Sequence, residues 1–176
     1  VAKLENELML ALGYEKYIAQ GGDWGSMITK WIAELFPENC IGIHLNLVIA
    51  FPPEGEDSMQ GVLQEEIEGM KNIEKYQATG YGYFAIQSTK PQTLGYGLND
   101  SPVGLAAWII EKFHGWTKDD SDKLVVPLDD VLAIVSLYWH TESITSSARF
   151  YHENGPLGLT FNPVSQPMAG VIFENE

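Results

Sequence analysis

The chain has 176 residues, 45% of them apolar and 19% charged, which is room for one ordinary domain with a real core and argues against intrinsic disorder. Lys and Arg number 10 against 24 Asp and Glu, for a net charge of −14, so the chain makes a poor nucleic-acid binder and is equally poor at holding an anionic membrane surface by charge. The single cysteine, Cys40, rules out an internal disulfide framework and a cysteine-rich zinc site.

In chain order, Leu4, Leu8 and Leu12 give helical spacing, with Gly13 as a stop. Tyr17-Ile18-Ala19 reads as a buried strand running into Gly21-Gly22. Met27, Ile28, Trp31, Ile32, Leu35 and Phe36 predict a helix with a broad apolar face, ended by Pro37. Residues 41–47 alternate as a strand requires. The longest apolar stretch, residues 41–51, is interrupted by His44 and Asn46 and falls short of the roughly 20 residues a bilayer span needs.

Residues 51–57 form a Pro-rich acidic linker, after which the pattern is almost wholly helical. Residues 59–78 are polar and amphipathic. Ser101-Pro102 opens a helix that is apolar nearly all round, expected to close near Gly115 and to be buried on more than one side. Pro127 opens another, with Asp129 and Asp130 in its first turn, where the helix dipole favours them. Residues 154–158 break the pattern, and residues 169–173 read as a strand again.

The expected fold is α/β, a partial parallel sheet with an inserted helical lid. Residues 1–50 carry part of the core, residues 51–160 the lid, and residues 161–176 the return to the sheet. Residue 1 is Val rather than Met, and neither end reads as a natural terminus, so a piece of a longer protein is expected.

The chemistry concentrates at Gly21-Gly22-Asp23-Trp24-Gly25-Ser26, between a predicted strand and a predicted helix. This is a Gly-x-nucleophile-x-Gly turn with Asp as the nucleophile. Its glycines let strand and helix pack closely around a strained residue, the helix N-terminus faces the Asp23 carboxylate, and the Trp24 N–H is placed to stabilise an oxyanion. No Lys-Ser/Thr follows the glycines, which excludes a Walker loop, and the Rossmann spacing is absent. A carboxylate nucleophile attacks an electrophilic sp³ carbon and forms an ester that water cleaves, so epoxides and alkyl halides both fit. An epoxide needs hydrogen-bond donors for its alkoxide, which tyrosines on a lid supply; a halide calls for indole or amide N–H groups.

The chain resembles the microsomal-type epoxide hydrolases of the α/β-hydrolase fold, a family that includes juvenile hormone epoxide hydrolases. The matching segments are Gly-Gly-Asp-Trp-Gly-Ser at 21–26, Gly-Ile-His-Leu-Asn at 42–46, Gln-Ser-Thr-Lys-Pro-Gln-Thr at 87–93, the Asn-Asp-Ser-Pro-Val-Gly-Leu run within 97–113, and Arg-Phe-Tyr-His-Glu-Asn at 149–154. The resemblance implies that Asp23 is the nucleophile, that Tyr83 and Tyr151 bind the epoxide oxygen, and that Glu176 is the triad acid. After Pro167 this sequence has Met-Ala-Gly where the family has Thr-Gly.

The resemblance puts the family's second oxyanion loop, His-Gly-Trp-Pro, upstream of Val1, and the catalytic histidine beyond the acid. None of His44, His114, His140 and His152 has that position; His152 alone neighbours a proposed site residue. The implied partners are a small apolar epoxide and water, with no cofactor or metal. A haloalkane dehalogenase using the same Asp23, or an incomplete fragment that binds apolar ligands without its base, are the alternatives. Localisation is open: a cytoplasmic setting is favoured, and family members can carry an N-terminal membrane anchor.

Overall fold

The structure is a computed structural model describing residues 1–49, 61–117, 123–155 and 162–173. The chain divides into two compact units, Val1–Pro53 with Thr160–Glu176, and Glu54–Leu159. The linker at 51–57 and Glu176 lie outside the described residues.

The first unit holds α1 (Ala2–Ala11), β1 (Tyr17–Gly21), α2 (Trp24–Leu35) and β2 (Cys40–Asn46) in sequence, and then β3 (Met168–Val171). The three strands form one sheet in the order β1-β2-β3, parallel throughout. Parallel pairing of β1 and β2 requires a crossover, and α2 supplies it. Pairing places Gly21 opposite Leu45 and Asn46 opposite Val171, so the C-terminal ends of all three strands come level beside the turn into α2. The core gathers Ala2, Ile32, Ala33, Cys40, Ile43 and Leu45.

The buried face of α2 differs from the expected one. Ser26, Thr29, Ile32 and Ala33 are buried, whereas Trp31 and Leu35 are exposed. Two hydroxyls replace bulky side chains there because the helix lies so close to β1: a Cβ built on Gly21 would overlap the Gly25 carbonyl and come within 2.6 Å of Thr29 Oγ1. The last strand ends at Val171, two residues before the expected boundary, and Ile172 and Phe173 are exposed beyond it.

The second unit is helical: α3 (Gln64–Thr79), α4 (Gly82–Thr89), α5 (Pro91–Asp100), α6 (Pro102–Trp116), α7 (Leu128–Thr141) and α8 (Ile144–Asn154). Pro91 and Pro102 each occupy a first helical position, which the pyrrolidine ring tolerates, while holding the preceding residue out of the helix. The Ser101 hydroxyl accepts from the Gly104 amide at 3.0 Å, the expected cap. Helix α6 runs past Gly115 to Trp116. Its expected all-round burial is not found among the described residues: Leu105 is buried, but Val103 is 77% exposed. One stripe of α6 packs, through Leu105, Trp108 and Ile109, with Leu98, Val135 and Ile144. The break between α7 and α8 is made by Glu142, which adopts the left-handed conformation without being glycine (φ 52°, ψ 32°).

Candidate active site

The turn from β1 into α2 has the strained geometry that the Gly-x-Asp-x-Gly pattern predicts. Asp23 lies at φ 51° and ψ −129°, a region a residue with a Cβ seldom enters, at a cost of about 1–3 kcal/mol. It is the N-cap of α2, and its exposed carboxylate accepts a hydrogen bond at Oδ1 from the Trp24 amide at 2.5 Å. The amide expected to stabilise an oxyanion is therefore engaged with the candidate nucleophile itself.

The crowding that imposes this turn falls on its first half. Gly21 has no space for a side chain, and a Cβ on Gly22 would overlap the Asn46 side chain. A Cβ on Gly25 would meet nothing within 4 Å, so the expectation that this glycine, too, is required for close packing is corrected. Strand and helix approach through the Gly25 carbonyl, not through its Cα substituent.

Two residues given no role by the sequence reading fix the turn. The Ser26 hydroxyl donates to the carbonyls of Asn46, at 2.5 Å, and Gly21, at 3.1 Å, tying the first turn of α2 to the ends of both β2 and β1. The Asn46 side chain, against Gly22, accepts from Gln20 Nε2 at 2.7 Å. The available signal for Ser26 was a small hydroxyl immediately after the motif, on a face otherwise counted as apolar.

The helical unit brings Tyr83 and Tyr151 together, their ring centroids 5.9 Å apart in an edge-to-face arrangement. Both are half-buried. Tyr83 comes from α4 and Tyr151 from α8, and these helices are locked by polar contacts. His152 Nδ1 of α8 lies 2.6 Å from the Ser88 carbonyl of α4, and Arg149 of α8 donates to Gln92 Oε1 of the neighbouring α5 at 2.6 Å. Further along, Asn99 donates to Thr145 Oγ1 at 3.0 Å, where α5 approaches α8 so closely that a Cβ on Gly95 would overlap Thr145. His152 is thus a structural neighbour of Tyr151. His44 sits half-buried on β2, its ring Nδ1 buried without a hydrogen bond among the described residues.

Around Tyr83 the structure adds groups that sequence reasoning missed. Tyr76 of α3 donates its hydroxyl to the Tyr83 hydroxyl at 3.1 Å. Lys112 of α6 holds its ammonium 4.6 Å from the Tyr83 ring centroid, and Trp116 packs edge-on at 5.3 Å. An open recess of about 460 Å³ on this unit, lined by Lys90, Gln92, Arg149 and His152, is charged and includes neither tyrosine. Among the described residues no helix is long and apolar enough to cross a membrane.

No family model matches the chain. Among known proteins, it is 39% identical to epoxide hydrolase 1 of Sus scrofa over 180 residues, covering 92% of this chain and 40% of that protein. It is 37% identical to juvenile hormone epoxide hydrolase 1 of Ctenocephalides felis over 199 residues, covering all of this chain and 43% of that protein. The solved structure of Aspergillus niger epoxide hydrolase superposes with a TM-score of 0.84 at 34% identity, covering 99% of this chain and 44% of that one. The chain therefore spans about two fifths of the length of the curated relatives it matches. It is a homologue of epoxide hydrolases and juvenile hormone epoxide hydrolases, and its fold is a portion of the α/β-hydrolase fold.

Proposed function

We propose that this chain carries the nucleophile and the leaving-group donors of an epoxide hydrolase that converts epoxides to vicinal diols. The observation that carries the reading is the Asp23 turn: a strained carboxylate at a helix N-terminus, with a backbone N–H already on Oδ1. Asp23 Oδ2 attacks an oxirane carbon, the C–O bond breaks, and the freed electron pair goes to the ring oxygen. That oxygen takes a proton from Tyr83 or Tyr151, whose phenol hydroxyls can donate one. Oδ1 becomes the ester carbonyl, and when water attacks, the Trp24 N–H that held it in the resting carboxylate holds the developing oxyanion. Collapse of that intermediate releases the diol and restores the carboxylate.

In this reading the helical unit is the lid and the sheet unit is part of the core. The resemblance assigns the water-activating base to a histidine beyond Glu176, and assigns Glu176 to orient it. Epoxide turnover is favoured over halide displacement, because the relatives named above are epoxide hydrolases and an alkyl halide would give two lid phenols no proton to deliver.

The test is a single turnover of the complete gene product in heavy-oxygen water. Label is expected in the Asp23 carboxylate; label confined to the diol would refute an ester intermediate.

A further inference from the structure

We propose that His152 is a positioning residue that sets the Tyr151 phenol against Tyr83 for epoxide opening; this rests on the roles read for the two tyrosines above. Tyr83 lies on α4 and Tyr151 on α8, so a target shared by both phenols requires the two helices to keep one rotation and one spacing. Arg149 and Thr145 bond α8 to α5. His152 bonds it to α4, the helix that carries Tyr83, through Nδ1 and the Ser88 carbonyl at 2.6 Å. A carbonyl only accepts, so Nδ1 carries the hydrogen and donates it. Ser88 lies in the last turn of α4, where carbonyls have no amide of their own helix to accept from. The imidazole N–H takes the place of that amide, and the negative end of the α4 dipole favours it there.

The packing around this bond leaves little room for slip. A Cβ built on Gly155, which closes α8, would come within 2.9 Å of Ser88 Oγ and 3.2 Å of the Phe84 ring. The Phe84 ring meets Tyr151 edge-on at 5.4 Å, and the Ser88 hydroxyl donates to the Phe84 carbonyl at 2.7 Å. Phe84 and Ser88, four residues apart on one face of α4, thus receive Tyr151, His152 and Gly155 together. His152 follows Tyr151 directly, and successive helical residues stand about 100° apart around the axis, so holding one side chain fixes the direction of the other. A tyrosine hydroxyl stands roughly 8 Å from the helix axis, so a rotation of about 10° would carry it about 1.4 Å. Displacement on that scale spoils a hydrogen bond and slows a reaction that depends on it. In the opening step Asp23 bonds to carbon, the C–O bond breaks, and the ring oxygen gains the electron pair and a phenol proton. That step needs both phenols at one oxygen; cleavage of the ester by water does not.

The experiment measures alkylation of Asp23 and hydrolysis of the ester separately by rapid quench, using the complete gene product with styrene oxide. His152→Phe keeps a ring and removes the N–H; it is expected to slow alkylation about tenfold and to leave ester hydrolysis unchanged. His152→Asn, whose amide N–H can take the place of Nδ1–H, is expected to restore most of the rate. In a Tyr151→Phe background the same His152→Phe change is expected to cost less than about twofold, because the hydroxyl it positions is gone. The full loss persisting in that background, no rescue by His152→Asn, or an equal loss in ester hydrolysis would reduce the contact to general packing and overturn the proposal. Wild-type alkylation in His152→Phe, with Tyr151→Phe slow, would overturn it while leaving the role of Tyr151 in place. Wild-type alkylation in Tyr151→Phe would overturn the underlying reading of that tyrosine, and the positioning role with it.

Discussion

The Ser26 hydroxyl and the Asn46 carbonyl lie 2.5 Å apart, and this bond joins the first turn of the helix after Asp23 to the end of the neighbouring strand. Both partners sit where the three parallel strands finish, so the bond fixes the height of Asp23 above the sheet. Ser26→Ala removes the donor and leaves carbonyls without it. Unfolding free energy from urea titration is expected to fall by about 1–3 kcal/mol, and epoxide alkylation to slow. An unchanged denaturation midpoint would show that the bond carries no weight.

The backbone at Asp23 stores strain that a glycine would relieve. Asp23→Gly removes the Cβ from φ 51°, ψ −129°, and is expected to raise stability by about 1 kcal/mol while abolishing turnover and the covalent ester. A rise in melting temperature with no mass adduct after epoxide treatment is the expected pair of results. A fall in melting temperature would mean that the Trp24 amide bond outweighs the strain.

Gly21 and Gly25 look equivalent in the motif and are not equivalent in space. Gly21→Ala drives a methyl group into the Gly25 carbonyl and is expected to cost at least about 1–3 kcal/mol. Gly25→Ala has open space and replaces a helical glycine, so the expected change is neutral to about 1 kcal/mol stabilising. Parallel chemical denaturation of the two variants checks the ordering.

In the helical unit, Glu142→Gly relieves the left-handed cap between α7 and α8. The expected gain is about 1 kcal/mol, read from thermal melting, with the Tyr83–Tyr151 pair undisturbed.

What the sequence made legible was local. Pro37 and the alternation at 41–47 placed α2 and β2 to within a residue, and Ser101-Pro102 placed the start of α6, because caps and periodicity act over one or two turns. The Asp23 turn was legible for the same reason. Burial was harder, since it depends on a partner. Ser26 and Thr29 are buried because Gly21 brings β1 against them, and Val103 is exposed because the contacts of α6 fall on a single stripe. The α7–α8 break hid behind a glutamate where a glycine would have announced it. Tyr76 and Lys112 join Tyr83 from two other helices, a meeting that no spacing along the chain encodes.

Strand order has a kinetic meaning. β2 and β3 are hydrogen-bonded neighbours, yet residues 47–167 separate them in sequence. The β1–α2–β2 portion forms through short-range closure, whereas β3 joins only after a closure whose entropy grows with the logarithm of the intervening length. Early collapse of the helices would shorten that effective loop before the strands meet. Closure entropy therefore predicts assembly of the sheet in two stages, and pulsed hydrogen exchange at the β2–β3 ladder is the measurement that would time the second.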